Sequence, residues 1–138
     1  MFYTGCQFHS GLTKIMIKKN IKINFTEKFD KFYDHWKPKV ITELNDYQFK
    51  LVKIKGDFIW HNHEETDEAF IVIDGRIFIE FEEKTEEINE GEMIIVPKGV
   101  KHKPYAKTEA KIMIIEPKGV VNTGEILDKL TAPNDDWI

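Results

Sequence analysis

Gly56-Asp57-Phe58-Ile59-Trp60-His61-Asn62-His63-Glu64-Glu65-Thr66-Asp67-Glu68-Ala69-Phe70-Ile71-Val72-Ile73-Asp74-Gly75 decides how this chain folds. Its apolar residues come in runs too short for helices, and glycine closes both ends. Phe58 to His63 and Ala69 to Ile73 therefore read as strands, with Arg76 to Phe81 as a third. Asp74-Gly75 reads as the turn of a hairpin. On a strand, side chains alternate between faces, so His61 and His63 point the same way. If they face inward, Ile59 does too, and if Glu68 faces inward, Phe70 and Val72 follow.

Outward from that stretch the texture stays the same. Tyr47, Phe49 and Leu51 alternate with Gln48 and Lys50. Glu86 to Ile88 leads into the turn Asn89-Glu90-Gly91, Met93 to Val96 ends at Pro97, and Lys101 to Ala106 and Lys111 to Ile115 follow. Short strands with turns every eight to twelve residues or so indicate a β-sandwich or barrel, an all-β fold. Ahead of them, Asn24 and Glu27 form a capping-box pattern, and Phe25, Phe29, Phe32 and Trp36 make one apolar stripe. This predicts an N-terminal amphipathic helix that stops at Pro38. Glu125 to Leu130 reads as a second, short helix.

The length, 138 residues, fits one domain, and a hydrophobic share of 41% supports a real core. We divide the chain into an extension over residues 1–23 and a single domain over 24–138, with the barrel core at about 47–116. Met16 is an alternative start, because Met1 to Ile15 shows no clear periodicity. A net charge of −4 gives no general attraction to nucleic acid or anionic lipid. No apolar run approaches the length of a membrane span, and the first fifteen residues lack the apolar core of a signal peptide. Cys6 is the only cysteine, so no intrachain disulfide forms, consistent with a cytoplasmic protein. Ala69 to Ile73 and Ile112 to Ile115 are apolar on both faces and need cover on both sides, which predicts a homodimer.

The spacing carries the chemistry. Four residues separate Gly56 from His61, four separate His63 from Glu68, and six lead on to Gly75. Gly91 precedes Pro97-Lys98-Gly99 by five residues, and His102 follows after two more. This arrangement resembles the two-motif signature of the cupin superfamily. The resemblance spans about residues 50 to 116 and implies a double-stranded β-helix, or jelly-roll barrel of the RmlC-like kind. It also implies a metal inside, held by His61, His63, Glu68 and His102. The family pattern usually has five residues before the first histidine, where this chain has four. It usually ends its second motif in asparagine, where this chain has Ala106. The carboxylate position is also variable by one, which makes Asp67 a fallback. Asp34 to Val40 and Glu116 to Gly124 further resemble a group of short cupins labelled mannose-6-phosphate-isomerase-like, a label that reflects the barrel and is weak warrant for sugar isomerase chemistry.

Three imidazoles and a carboxylate suit one divalent transition metal, Fe, Mn, Ni, Zn or Co, and leave open positions for a small-molecule substrate. Solvated histidines beside an acidic hairpin are the plainer reading of the His-x-His pair alone. Ile59, Phe70, Val72 and Phe81 are the expected pocket lining, with Ile77, Ile79 and either Phe49 or Leu51 beside them. Tyr105 is a candidate hydroxyl near the mouth, or else an ordinary strand residue. Lys98, Lys101 and Lys103 can attract an anionic substrate past Glu64, Glu65 and Asp67. The expected function is a small metalloenzyme, either Fe(II) dioxygenase-like or a metal-dependent isomerase or lyase. The alternative is a cupin that binds or senses a small ligand without turnover.

Overall fold

The computed structural model describes residues 20–138. The expected N-terminal extension lies mostly, and the Met16 start wholly, outside the described residues. A short helix, α1 (Phe25–Phe29), precedes seven strands: β1 (Lys39–Leu44), β2 (Tyr47–Asp57), β3 (Glu68–Asp74), β4 (Arg76–Glu80), β5 (Thr85–Asn89), β6 (Met93–Val96) and β7 (Lys103–Pro117). All pairing among them is antiparallel, and the sheet runs β1-β2-β7-β3-β6, with β4 joining β5 and β7. This is the expected all-β, jelly-roll architecture. No helix among the described residues is long and apolar enough to cross a membrane.

β7 organises the barrel. The two strands expected at Lys101 to Ala106 and Lys111 to Ile115 belong to this one fifteen-residue strand. On one edge it pairs with β2, from Tyr47↔Pro117 to Asp57↔Tyr105. On the other edge it serves two partners end to end: β3 against residues 111–115 and β4 against residues 103–105. Strands laid end to end on a common neighbour cannot also pair with each other. Asp74-Gly75 is therefore a corner between β3 and β4 and not the hairpin that its composition suggests. Gly75 turns it at φ 91° while Ala110 passes so close that a Cβ on Gly75 would stand 3.2 Å from the Ala110 Cα and Cβ.

The barrel has two apolar regions. The interior holds Val52, Ile54, Phe70, Val72, Ile77, Ile79, Ile112 and Ile114. The outer face of the sheet holds Leu51 and Met113 beneath Phe29 and Phe32. This division cuts short the expected helix. The Asn24 side chain accepts from Glu27 N at 3.0 Å, as the capping box requires, but the helix runs only from Phe25 to Phe29. Phe29 and Phe32 cover the outer face, whereas Trp36 turns into the interior at φ 63°, so one straight helical stripe cannot serve both. Glu125 to Leu130 is not helical either. Thr123 Oγ1 donates to Ile126 O and Asp128 N donates to Thr131 Oγ1, so side chains take up backbone groups that a helix would have used.

The faces of β2 are also the reverse of the expectation. Gln48, Lys50, Val52 and Ile54 point inward, and Phe49 and Leu51 pack against the outer cluster. Two polar side chains thus enter the barrel, and each finds carboxylate partners there: Gln48 donates to Glu43 and Asp135, and Lys50 to Glu116.

Candidate metal centre

The segment read as a strand from Phe58 to His63 forms no continuous ladder. It is tethered at separate points to the start of β7 and the turn before it. Phe58 N donates to Pro104 O at 2.9 Å, His61 and His102 exchange both backbone bonds at 3.0 and 2.9 Å, and Gly99 N donates to His63 O at 2.8 Å. His61 and His102 are thus a directly opposed antiparallel pair. Gly99, at φ 78°, supplies the turn that brings its own N–H to His63. Glu68 arrives as the first residue of β3 and pairs with Val96 on β6. Behind the histidines, Gly124 packs so closely on Asn62 that a Cβ there would collide with the Asn62 carbonyl oxygen.

These tethers bring His61, His63, Glu68 and His102 together. All four are buried, and one donor atom from each lies within 4.8 Å of the others. Ligands on opposite sides of one ion, with bonds of about 2.1 Å, stand about 4.2 Å apart, so the spread of the set is of the size that one ion spans. His61 Nδ1 lies 2.9 Å from Ile59 O, and His102 Nδ1 lies 2.9 Å from Val100 O. A carbonyl only accepts, so each Nδ1 carries a proton, and each Nε2 is left to face the cluster. Outer hydrogen bonds of this kind orient imidazoles for metal binding.

The donor atoms are placed to hold an ion. His63 Nε2, His102 Nε2 and Glu68 Oε1 are buried with no hydrogen-bond partner, the two nitrogens 3.5 and 3.4 Å from that oxygen. Leaving one such atom unsatisfied costs about 1–3 kcal/mol, and three converging on one point call for a shared partner. Burial pushes the Glu68 carboxyl up, but the His102 and His63 imidazoles more than offset this and hold it well below the usual carboxylate range. Burial, and then the nearby His102, lower the pKa of His61 to about 4, which keeps it neutral and ready to ligate.

Beside the cluster lies a cavity with ≈ 30 Å³ open to the centres of water molecules. That is room for about two waters at roughly 10–15 Å³ each. His61, Glu68, Phe58 and Phe70 line it, together with Trp36, Asn122 and Glu116. Trp36 and Phe58 stack at 4.7 Å between ring centroids.

Of the expected lining, Phe70 reaches this cavity. Ile59 and Phe81 pack half-buried against the interior cluster, and Phe81 also borders an outer groove with Ile94 and Ile95. Val72 belongs to the interior cluster, and Tyr105 stacks on Phe78 at 5.0 Å, on the face opposite Ile77 and Ile79. Phe49 and Leu51 lie outside the barrel. Asp67 Oδ1 accepts from Lys98 N, and the residue in the cluster is Glu68. Lys103 reaches Asp57 and Glu80, while Lys98 and Lys101 are exposed.

Trp36, Asn122, Lys50 and Glu116 at or beside the cavity were not foreseen. For Glu116 a signal exists: it falls in phase with Ile112 and Ile114, so it continues the inward face of β7. Its carboxyl is pushed well above the usual range by burial and by the neighbouring Glu68 carboxylate, against the pull of Lys50.

An antiparallel barrel with three histidines and a glutamate converging inside is a jelly roll with a residue group that could hold a metal ion, and known proteins share the fold. Residues 50–116 match the cupin domain family. A cupin-2 domain-containing protein of Shewanella frigidimarina shares 58% identity over 69% of this chain and 93% of its own, with a TM-score of 0.68. A Neisseria meningitidis protein shares 31% over 70% of this chain and 99% of its own, with a TM-score of 0.66. The uncharacterized protein YdbB of Bacillus subtilis is 32% identical over 79 residues, 56% of this chain and 70% of YdbB. This chain belongs to the cupin superfamily.

Proposed function

We propose that His61, His63, Glu68 and His102 hold one divalent transition metal, and that the chain is a small-molecule metalloenzyme. The observation that carries the ion is the convergence of three buried, unpartnered donor atoms, His63 Nε2, His102 Nε2 and Glu68 Oε1. A bound ion of this class supplies Lewis acidity or, as iron, redox chemistry. The chain does the rest. Ile59 O and Val100 O fix the imidazole tautomers, Phe58 and Phe70 set ring edges against His61 and His102, and the aromatic walls restrict water. Fe(II) dioxygenase-like chemistry and metal-dependent isomerisation or lysis are the two forms of this reading. Likeness to the mannose-6-phosphate-isomerase-like group adds nothing to choose between them.

The test is elemental analysis of tag-free protein purified without chelator, beside His61→Ala and His102→Ala. One transition metal per chain in wild type and none in the variants is the expected result. No metal in wild type after exposure to Fe(II), Mn(II), Ni(II) and Zn(II) would sink the reading. The second reading is a module that holds a small ligand without turnover. Ligand depletion without product would support it.

We also infer a homodimer. Met93 and Ile95 of β6 are 55% and 49% exposed and stand on the outer face beside Ile71 and Ala69 of β3, in line with Met113 and Ile115 of β7. A second copy is the cover that such a surface calls for.

A further inference from the structure

Lys50 is an unusual residue to find inside a barrel. It is 1% exposed, and its Nζ donates to Glu116 Oε2 at 2.7 Å and to Val120 O at 3.3 Å. This leaves the other carboxyl oxygen, Glu116 Oε1, buried with no donor reaching it. Glu116 lines the same cavity as His61 and Glu68, and its carboxyl lies beside that of Glu68. The other polar wall is already committed: both Asn122 N–H groups go to Trp36 O and Leu130 O, and its Oδ1 accepts from Ala132 N. Trp36, Phe58 and Phe70 face the cavity with rings, the Trp36 indole N–H being spent on Lys55 O. Glu116, hydrogen-bonded to Lys50 and facing the Glu68 carboxyl within hydrogen-bonding reach, is thus the one polar group of the cavity wall, apart from the ion ligands, that keeps a buried oxygen with no donor on it.

We infer that the Lys50–Glu116 pair is a recognition group for a small hydroxylated ligand, whose hydroxyl meets Glu116 while its other polar end meets the ion. A hydroxyl both donates and accepts, so it complements the carboxyl whichever way the proton sits. Lys50 already supplies a positive charge, so the ligand needs no ammonium group. The ring walls offer nothing to a second polar substituent. The space, room for about two waters, admits only the end of a short ligand. The assignment rests on the proposed ion site for the ligand's other end, and its test separates the two.

The probes are glycolate and its two analogues without an O–H, acetate and fluoroacetate, the last close to it in size. Their binding to Zn(II)-treated protein is compared by saturation-transfer NMR, and zinc is counted independently by elemental analysis. Wild type is expected to prefer glycolate over both analogues by about fivefold, the scale of one net hydrogen bond. The double variant Lys50→Met with Glu116→Leu removes both charges and leaves neither partner stranded, and such replacements are commonly tolerated. It should bind glycolate and acetate alike. No preference in wild type, or a preference unchanged in the double variant, overturns the assignment. If the double variant fails to fold, glycolate against fluoroacetate on wild type still decides, and equal binding overturns the assignment. Zinc held without the preference refutes the recognition group and spares the ion site. The preference without zinc does the reverse.

Discussion

Lys50 Nζ and Glu116 Oε2 stand 2.7 Å apart in the barrel interior, the two side chains 1% and 2% exposed. Removing one member of so buried a pair leaves the other uncompensated, which costs about 3–5 kcal/mol. Lys50→Met should therefore unfold far more easily in urea than the double variant with Glu116→Leu. Equal stability of the single and double variants would show that the pair carries no such coupling.

Acid should weaken the metal-free protein through His61. Its folded pKa of about 4 lies below the ordinary value of 6.5, so the unfolded chain binds the proton first. The contribution is whole above pH 6.5, falls as pH drops and is gone near pH 4. The shift corresponds to about 3 kcal/mol. Denaturation midpoints of chelator-treated wild type should fall over that window, and those of His61→Ala should fall less. Identical slopes would refute the assignment. The folded value also places proton competition for an ion at His61 below the pH 6–7 that free imidazole would suggest.

Gly124 ties the C-terminal segment to the histidines. It sits at φ 66°, where a side chain is strained, and a Cβ would strike Asn62 O between His61 and His63. Gly124→Ala should cost about 1–3 kcal/mol and weaken zinc binding, although residue 124 is not one of the four clustered residues. Calorimetry and a zinc titration check both, and unaltered affinity would mean that the segment does not set the ligand positions.

Light scattering at micromolar concentration should give twice the chain mass. Met93→Lys with Ile95→Lys, which puts charge on the exposed row of β6, should give the monomer. Wild type at the monomer mass would remove the dimer.

Sequence reasoning reached the barrel and the four clustered residues because both are local. Strand runs end at glycines, and His61, His63, Glu68 and His102 sit at fixed distances from those turns. It failed where distant partners decide. Asp74-Gly75 carries a hairpin's composition, but β7 occupies the edge that a hairpin would need. Phe25, Phe29, Phe32 and Trp36 have helical spacing, but two separate apolar regions compete for them. Phe49 or Leu51 reads as pocket lining because apolar side chains usually face inward, yet Gln48 and Lys50 take that face. Only Glu116, 66 positions beyond Lys50, makes the inward orientation intelligible.

The shared strand β7 also bears on how the chain is made. Synthesis delivers His61, His63 and Glu68 well before His102, and β2, β3 and β4 wait for the same late strand. A growing chain that ends short of residue 103 has open strand edges and at most part of a coordination sphere held in place. Capture of the proposed ion by all four ligands thus belongs to the finished domain and not to the nascent chain.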